Sequence, residues 1–429
     1  MTAPLADLFE PLLTKVFGGS PPLVFEFWDD SSLGDDGPGR LRFNGPDAIR
    51  RVMWSPDELG LARAYISGDV DIDGNIAMTL RKLQRSVGRD VRIAREAIPE
   101  VIAVNRTLGT FGRPPTPPAE EVVPRGVLHS LSRDRQAVSH HYDVGNEFYR
   151  LVLGPSMTYS CARFVDADTT LDDAQPAKHD LICRKLGLHD WTNRRAPEGE
   201  RPRLLDVGCG WGSMVIHAAI HFDVDAVGVT ISEAQAQLAR QRVKEAGVDD
   251  RVEIRLQDYR EVSDGPYDAI SSVGMAEHVG SKRMGEYFSG LYGLLPPGGR
   301  LLNHAIASVG GSKLGRRSFV NRYVFPDGEL LDIADTIREM EAVGFEVRDV
   351  ENLREHYAKT LQGWVTNLEE RWDEAVELVG QPRARVWLLY MSGSINGFDD
   401  FGLQLYQTLG VKLHDGGVSD MPLTRAEWD

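Results

Sequence analysis

Leu204-Leu205-Asp206-Val207-Gly208-Cys209-Gly210-Trp211-Gly212 is a short apolar stretch closed by three glycines at alternating positions. Leu204 to Val207 reads as a buried strand, the glycines as a tight turn, and Ser213 to Ala219 as the apolar opening of a helix. A backbone without Cβ reaches φ > 0 and lets a ligand approach closely. The helix N-terminus behind it offers unpaired N–H groups. No Lys-Ser/Thr follows, as a phosphate loop requires, and no third glycine stands where a dinucleotide fingerprint places it.

Outward from this turn the chain alternates. Leu204–Val207, Ala226–Thr230, Val252–Leu256, Ala269–Val273 and Arg300–Ile306 read as strands. Ser213–His221, Glu233–Ala246 and Arg283–Leu294 read as helices between them, the last followed by the Pro296-Pro297-Gly298-Gly299 turn. Such alternation predicts an α/β domain with a mainly parallel sheet, helices on both faces, and ligands at the carboxyl ends of the strands. Val229-Thr230-Ile231-Ser232 and Gln257-Asp258-Tyr259 fall at two of those ends. Many nucleotide sites carry an acid after the second strand; here the position holds Thr230, with Gln235 a helical turn on.

With 429 residues, 42% hydrophobic, the chain is long enough for two domains with their own cores. Arg113-Pro114-Pro115-Thr116-Pro117-Pro118 reads as a stiff linker. The expected division is residues 1–112, a linker at 113–125, and residues 126–429. In the smaller unit Leu5, Leu8, Phe9, Leu12, Leu13 and Val16 keep helical spacing across Pro11, and Leu23–Trp28 and Leu41–Phe43 read as strands. The helical Leu5–Val16 stripe could touch lipid, but is expected to pack on its own, α+β domain. Asn193 to Arg203 reads as a surface loop.

A formal net charge of −16 argues against nucleic acid as a partner. Cys161, Cys183 and Cys209 are an odd number without metal-type spacing, which fits a reducing, cytoplasmic setting and predicts neither disulfide nor metal site. No run approaches the ~20 apolar residues of a membrane span. One basic stretch stands out: Arg81, Lys82, Arg85, Arg89, Arg92 and Arg95 surround a single acid, Asp90. Arg81, Arg85, Arg89 and Arg92 share a helical face, which is either solvated or drawn to an anionic membrane surface.

Asp206-x-Gly208-x-Gly210-x-Gly212 after a strand resembles motif I of class I S-adenosylmethionine (SAM) methyltransferases. More specifically, residues 135–410 resemble the cyclopropane-fatty-acyl-phospholipid synthases and the mycolic acid cyclopropane synthases. The matching segments are Ser139-His140-His141-Tyr142-Asp143-Val144-Gly145-Asn146-Glu147-Phe148-Tyr149, Met157-Thr158-Tyr159-Ser160-Cys161-Ala162, Gly228-Val229-Thr230-Ile231-Ser232, Glu277-His278-Val279-Gly280, His304-Ala305-Ile306 and His356-Tyr357-Ala358-Lys359-Thr360-Leu361-x-x-Trp364. Leu61-Ala62-Arg63-Ala64-Tyr65-Ile66-Ser67-Gly68-Asp69 is similar to the phospholipid-acting members, which carry an additional N-terminal lipid-binding domain.

The resemblance implies a Rossmann-like methyltransferase domain and a methyl transfer from SAM to the cis double bond of an unsaturated phospholipid acyl chain. An alkene attacking the sulfonium methyl becomes a carbocation, and the site must stabilise it, exclude water and remove a proton. Proton loss from the new methyl gives a cyclopropane; a hydride shift first gives a 10-methylene or methyl branch. The resemblance further implies bicarbonate as the base, held by Cys161, Glu277, His304, Ile306 and Tyr357. It assigns SAM to Tyr159, Ser160, Gly208, Gly210, Thr230, Gln235 and Tyr259. Singly, each has a plainer reading: Cys161 as a small buried hydrophobe, His304 as a structural histidine, Tyr357 as a packing aromatic, and Glu277 as a cap or a partner of His278. The expected partners are unsaturated phospholipid and an anionic membrane surface, placing the protein peripherally at the inner membrane face. A homo-oligomer and a separate reductase stay open, as does a small-molecule N- or O-methyltransferase.

Overall fold

A computed structural model of the chain describes residues 3–87, 97–122, 144–193, 200–311, 315, 317–326 and 328–428. Two compact units emerge. One comprises Met1–Val123, Gly315–Pro326 and Trp372–Asn396; the other comprises Pro124–Leu314, Asp327–Arg371 and Gly397–Asp429. Arg89, Arg92, Arg95, residues 139–143 and most of the 193–203 loop lie outside the described residues.

In the first unit a four-stranded sheet runs in the order β2-β1-β3-β4, with β1 Val24–Glu26, β2 Ser32–Leu33, β3 Gly39–Phe43 and β4 Val70–Gly74. Strands β1 and β3, both expected, pair in parallel, while β2 and β4 pair antiparallel to them. The helix Leu5–Phe17 carries Pro11 and ends at Gly18, whose left-handed backbone closes the last turn. It buries Phe9 and Leu12, and Phe9 stacks on Phe27 with ring centroids 4.6 Å apart. The Leu5–Val16 stripe therefore serves the unit's own core.

Chain order placed residues 315–326 and 372–396 in the C-terminal domain, whereas in the structure they pack with the N-terminal residues. Polar long-range pairs hold them there. Arg385 donates to Tyr65 O (2.8 Å) and to Asp71 (2.5 Å), and its guanidinium lies over the Tyr65 ring. Asn396 donates to Ala77 O (2.8 Å). Glu121, almost wholly buried, receives Arg63 through two 2.7 Å bonds and the Tyr323 hydroxyl at 3.1 Å. Pairs this far apart leave no periodic trace in a sequence.

The second unit is built on a seven-stranded sheet ordered β10-β11-β9-β8-β5-β6-β7. Its strands are β5 Arg203–Val207, β6 Asp225–Thr230, β7 Val252–Leu256, β8 Ala269–Val273, β9 Arg300–Ser308, β10 Phe345–Asn352 and β11 Leu403–Lys412. The first five pair in parallel, while β11 runs antiparallel to both neighbours. Alternating side chains of β5 split between two cores, as a period of two requires. Leu204 joins the helices Leu171–Lys185, Ser213–Phe222 and Glu233–Glu245 on one face. Leu205 and Val207 join the helices Met284–Gly293 and Ile333–Ala342 on the other. The expected doubly covered α/β sheet is the observed one, extended by β10 and β11, which the sequence reading did not assign. No helix among the described residues is long and apolar enough to cross a membrane.

Candidate active site

The glycine turn sits at the carboxyl end of β5. Gly208 and Cys209 both donate their N–H to Val229 O of β6 at 3.0 Å, which fixes the loop to the neighbouring strand. Gly208 has φ +79°, and a Cβ there would stand 3.3 Å from Met275 Sδ. Only glycine keeps this wall of the cleft open. Gly210, also at positive φ, has open space where a Cβ would go.

Beside the turn lies a cleft bounded by Gly208, Val229, Thr230, Ile231, Gln235, Gln257, Asp258, Tyr259, Arg260, Met275 and His278, among others. Four of the expected SAM residues thus line one cavity. Thr230 and Gln235 act as a pair, the Thr230 hydroxyl donating to Gln235 Oε1 (2.8 Å) and accepting from Ser232 N (3.2 Å). The buried Asp258, absent from the sequence-derived set although it adjoins Tyr259, accepts both Arg260 N (3.0 Å) and the Arg260 guanidinium (2.7 Å). A Cβ-free wall, uncharged ribose-type partners and a buried carboxylate form a donor and acceptor set that fits a nucleoside-bearing cofactor.

Tyr159 and Ser160 sit on the segment preceding the helix Leu171–Lys185. Tyr159 packs against Tyr149 (5.7 Å) and Trp364 (5.2 Å), and Tyr149 in turn against Trp211 of the glycine turn (4.7 Å). Asn146 accepts from Trp211 Nε1 (2.9 Å). Arg242 binds Ser156 O (3.0 Å), Trp211 O (2.6 Å) and Ser213 Oγ (3.0 Å), tying this segment to the turn.

Beneath it lies a polar cluster that sequence reading missed. The fully buried Lys178 donates to Ser160 Oγ (2.9 Å), and Gln175 donates to Ser160 O (2.9 Å). Burial pushes the Lys178 ammonium down to about 7, opposed by the nearby Cys161 and Asp206. Burial likewise raises Asp206 to about 6, against the Ser271 hydroxyl, which donates at 2.6 Å, and the Lys178 charge. No spacing rule marks a lysine as core, so the sequence does not separate Lys178 from a surface lysine.

The five residues expected around bicarbonate stand on connected elements. His304 and Ile306 lie on β9, two residues apart and so on one face. Glu277 follows β8, and its Oε1 accepts the Ile306 N–H at 2.8 Å. Its Oε2 is buried without a hydrogen-bond partner among the described residues, as is His304 Nε2. Burial raises the Glu277 carboxyl to about 7, only partly countered by the Ile306 N–H, and holds the His304 imidazole well below its ordinary range. Cys161 is wholly buried, its thiol directed at Ala162 O (3.2 Å) and Leu353 O (3.7 Å), and burial keeps it protonated. The same Leu353 carbonyl accepts Tyr357 N in the helix Arg354–Glu370, which brings Cys161 and Tyr357 to one helix end. The Tyr357 ring packs between Trp364 (6.1 Å) and Phe398 (4.7 Å). His278 borders the cofactor cleft.

Sheet order, glycine turn and cleft define a class I SAM-dependent methyltransferase. The mycolic acid cyclopropane synthetase family model matches residues 129–408. The chain is 41% identical over 432 residues to a probable fatty acid methyltransferase of Mycobacterium tuberculosis (strain ATCC 25618 / H37Rv), covering 99% of each. It is 31% identical over 387 residues to the cyclopropane-fatty-acyl-phospholipid synthase of Escherichia coli (strain K12), covering 90% of this chain and 91% of that one. Among solved structures, the mycolic acid cyclopropane synthase CmaA1 complexed with SAH and CTAB superposes with a TM-score of 0.58 at 33% identity, over 65% of this chain and 98% of its own. The chain belongs to the cyclopropane synthase family and is a SAM-dependent C-methyltransferase that modifies fatty acyl chains.

Proposed function

We propose that the substrate is the cis double bond of an unsaturated acyl chain in a membrane phospholipid, and that bound bicarbonate is the base. The observation that carries this reading is the pair of buried, unpartnered polar atoms, Glu277 Oε2 and His304 Nε2, on residues anchored to the same strand. Buried polar groups without partners are rare in native proteins and call for an explanation such as an unseen ion. A neutral His304 and a protonated Glu277 are both hydrogen-bond donors, so the two suit a small oxyanion.

SAM supplies an electrophilic methyl group on a sulfonium. The Gly208 wall, the Thr230–Gln235 pair and Asp258 would hold it, and Lys178 sets Ser160 alongside. The alkene's π electrons form the new C–C bond as the S–CH₃ bond breaks, leaving a carbocation on the neighbouring carbon. Glu277 and His304 would hold the anion, which would take a proton from the added methyl, and that C–H pair would close the cyclopropane ring. Loss of a proton after a hydride shift gives a methylene branch instead, and a separate reductase would then complete a methyl branch. Cys161 and Trp364 are wholly buried, and dry walls of this kind would keep water from the cation.

The N-terminal unit is read as the part that meets an anionic lipid surface peripherally at the inner membrane face. Its helix Ile76–Val87 places the exposed Met78 a turn before Arg81 and Lys82 and two before Arg85, an apolar and basic face together. The test is incubation with SAM and oleoyl-phospholipid vesicles, followed by chromatography and NMR of the fatty esters. The expected result is one added carbon on the acyl chain, lost in bicarbonate-depleted buffer and restored by bicarbonate. Turnover indifferent to bicarbonate removes the base; methylation of soluble amines with unmodified lipid removes the substrate.

A further inference from the structure

Strand β11 contributes a residue to the site that neither the motifs nor the cleft single out. Gln407 pairs directly opposite His304 across β9 and β11 and is completely buried. Its side-chain nitrogen Nε2 lies 3.3 Å from His304 Nδ1, while its Oε1 is buried without a partner among the described residues. An amide NH₂ carries donors and no acceptor. A hydrogen bond between these atoms therefore requires a bare Nδ1. In a neutral imidazole the one ring proton then stands on Nε2, and Nε2 is the buried atom without a partner among the described residues.

We propose that Gln407 is a positioning residue that fixes His304 as its Nε2–H tautomer, turning the ring into a hydrogen-bond donor toward an anion held beside Glu277. The identity of that anion rests on the proposed function; the tautomer does not. A histidine's free nitrogen takes its role from what its other nitrogen meets. Turned over, the Gln407 amide would present its carbonyl to an Nδ1–H, and Nε2 would become a lone pair facing an anion. The sequence gives no hint of this, because a glutamine within an apolar strand resembles an error of pattern until its partner is known.

Nitrogen-15 labelling of the histidines in the full-length protein tests it, with the His304 signals assigned by their disappearance in His304→Gln. Two-bond nitrogen–proton correlations report which ring nitrogen is protonated. The expected wild-type spectrum at neutral pH shows Nε2 protonated and Nδ1 bare. In Gln407→Glu the carboxylate draws a proton to Nδ1, so the correlation pattern changes, and turnover on oleoyl-phospholipid vesicles falls by ~10- to 100-fold, the usual cost of losing a histidine's orienting partner. The KM for SAM stays within about twofold, because Gln407 does not border the cofactor cleft. A wild-type His304 protonated at Nδ1 overturns the inference, and this measurement needs no variant of Gln407 to fold. An unchanged tautomer in Gln407→Glu overturns it too. A wild type that ignores bicarbonate yet shows Nε2–H removes the anion and leaves the tautomer assignment standing.

Discussion

Glu277→Gln separates what the Glu277 carboxyl costs the fold from what it does for turnover. In the folded protein burial raises this group from 4.5 to about 7. An acid whose folded pKa lies above its unfolded value contributes its full stability below the unfolded pKa and loses it as pH rises through the folded one. Here the window runs from about 4.5 to about 7. The burial penalty of the ionised side chain then amounts to about 1 kcal/mol at pH 5.5 and about 3 kcal/mol at pH 8.5. Glutamine keeps the shape, still accepts the Ile306 N–H, and does not titrate. The variant should therefore gain about 2 kcal/mol on the wild type between pH 5.5 and 8.5. Urea unfolding of both proteins at the two pH values, followed by tryptophan fluorescence, reads this directly. Turnover should fall by less than ~100-fold, the scale of a lost acid–base group, because the glutamine amide keeps a donor toward the anion and the anion, not Glu277, takes the proton. SAM affinity by calorimetry should hold, since Glu277 does not line the cofactor cleft. A stability difference equal at both pH values would refute the reasoning, because the carboxyl would then be ionised in its folded site at no cost.

Gly208→Val places branched carbons where even a Cβ would touch Met275 and where φ is +79°; SAM binding by calorimetry should vanish with the far-ultraviolet circular dichroism unchanged, and retained binding would sink the assignment of the glycine wall. Replacing Arg85, Arg89 and Arg92 by Glu should weaken sedimentation with anionic vesicles by ~1 kcal/mol per lost arginine or more, and the difference should shrink in high salt. Equal sedimentation of variant and wild type would reduce the basic stretch to a solvated face.

The glycine turn and strands β5 to β9 are legible because their apolar residues follow a single period and each ends at a turn of recognisable chemistry. Strand β10 breaks that rule physically. Phe345 and Val347 alternate with polar neighbours, but a register shift between Val347 and Asp349 throws Val350 out of phase. Strand β11 fails for a different reason, since Gln404, Gln407 and Thr408 are all buried within it. Periodicity assumes that polar residues face water, and here the sheet interior supplies their surroundings. Lys178 and Asp258, both buried, are illegible on the same assumption. The site residues that were legible, Glu277, His304, Ile306 and Cys161, belong to contiguous motifs, whereas those that hold them in place come from segments ~100 residues or more away or from the core of a helix.

That hidden layer explains how one small region could meet two opposed electrostatic demands. A carbocation calls for negative charge nearby, yet a fixed, buried carboxylate would repel the oxyanion that has to take the proton. Burial in this structure leaves Cys161 as a thiol, His304 as a neutral ring and Glu277 poised near neutrality. His304 and the protonated Glu277 are thus donors without a full charge of their own, while the Cys161 S–H is spent on the Ala162 and Leu353 carbonyls. Donors of this kind can replace the water that a small anion sheds on entering a dry site. On the proposed reading the anion alone brings the negative charge, and it leaves as neutral carbonic acid once it has accepted the proton. Lys178 extends the same logic. Its ammonium is pushed down to about 7 by burial, with Asp206 working against that shift, so an arriving anion would favour its protonated form, and the counter-charge in the site would grow when the anion binds.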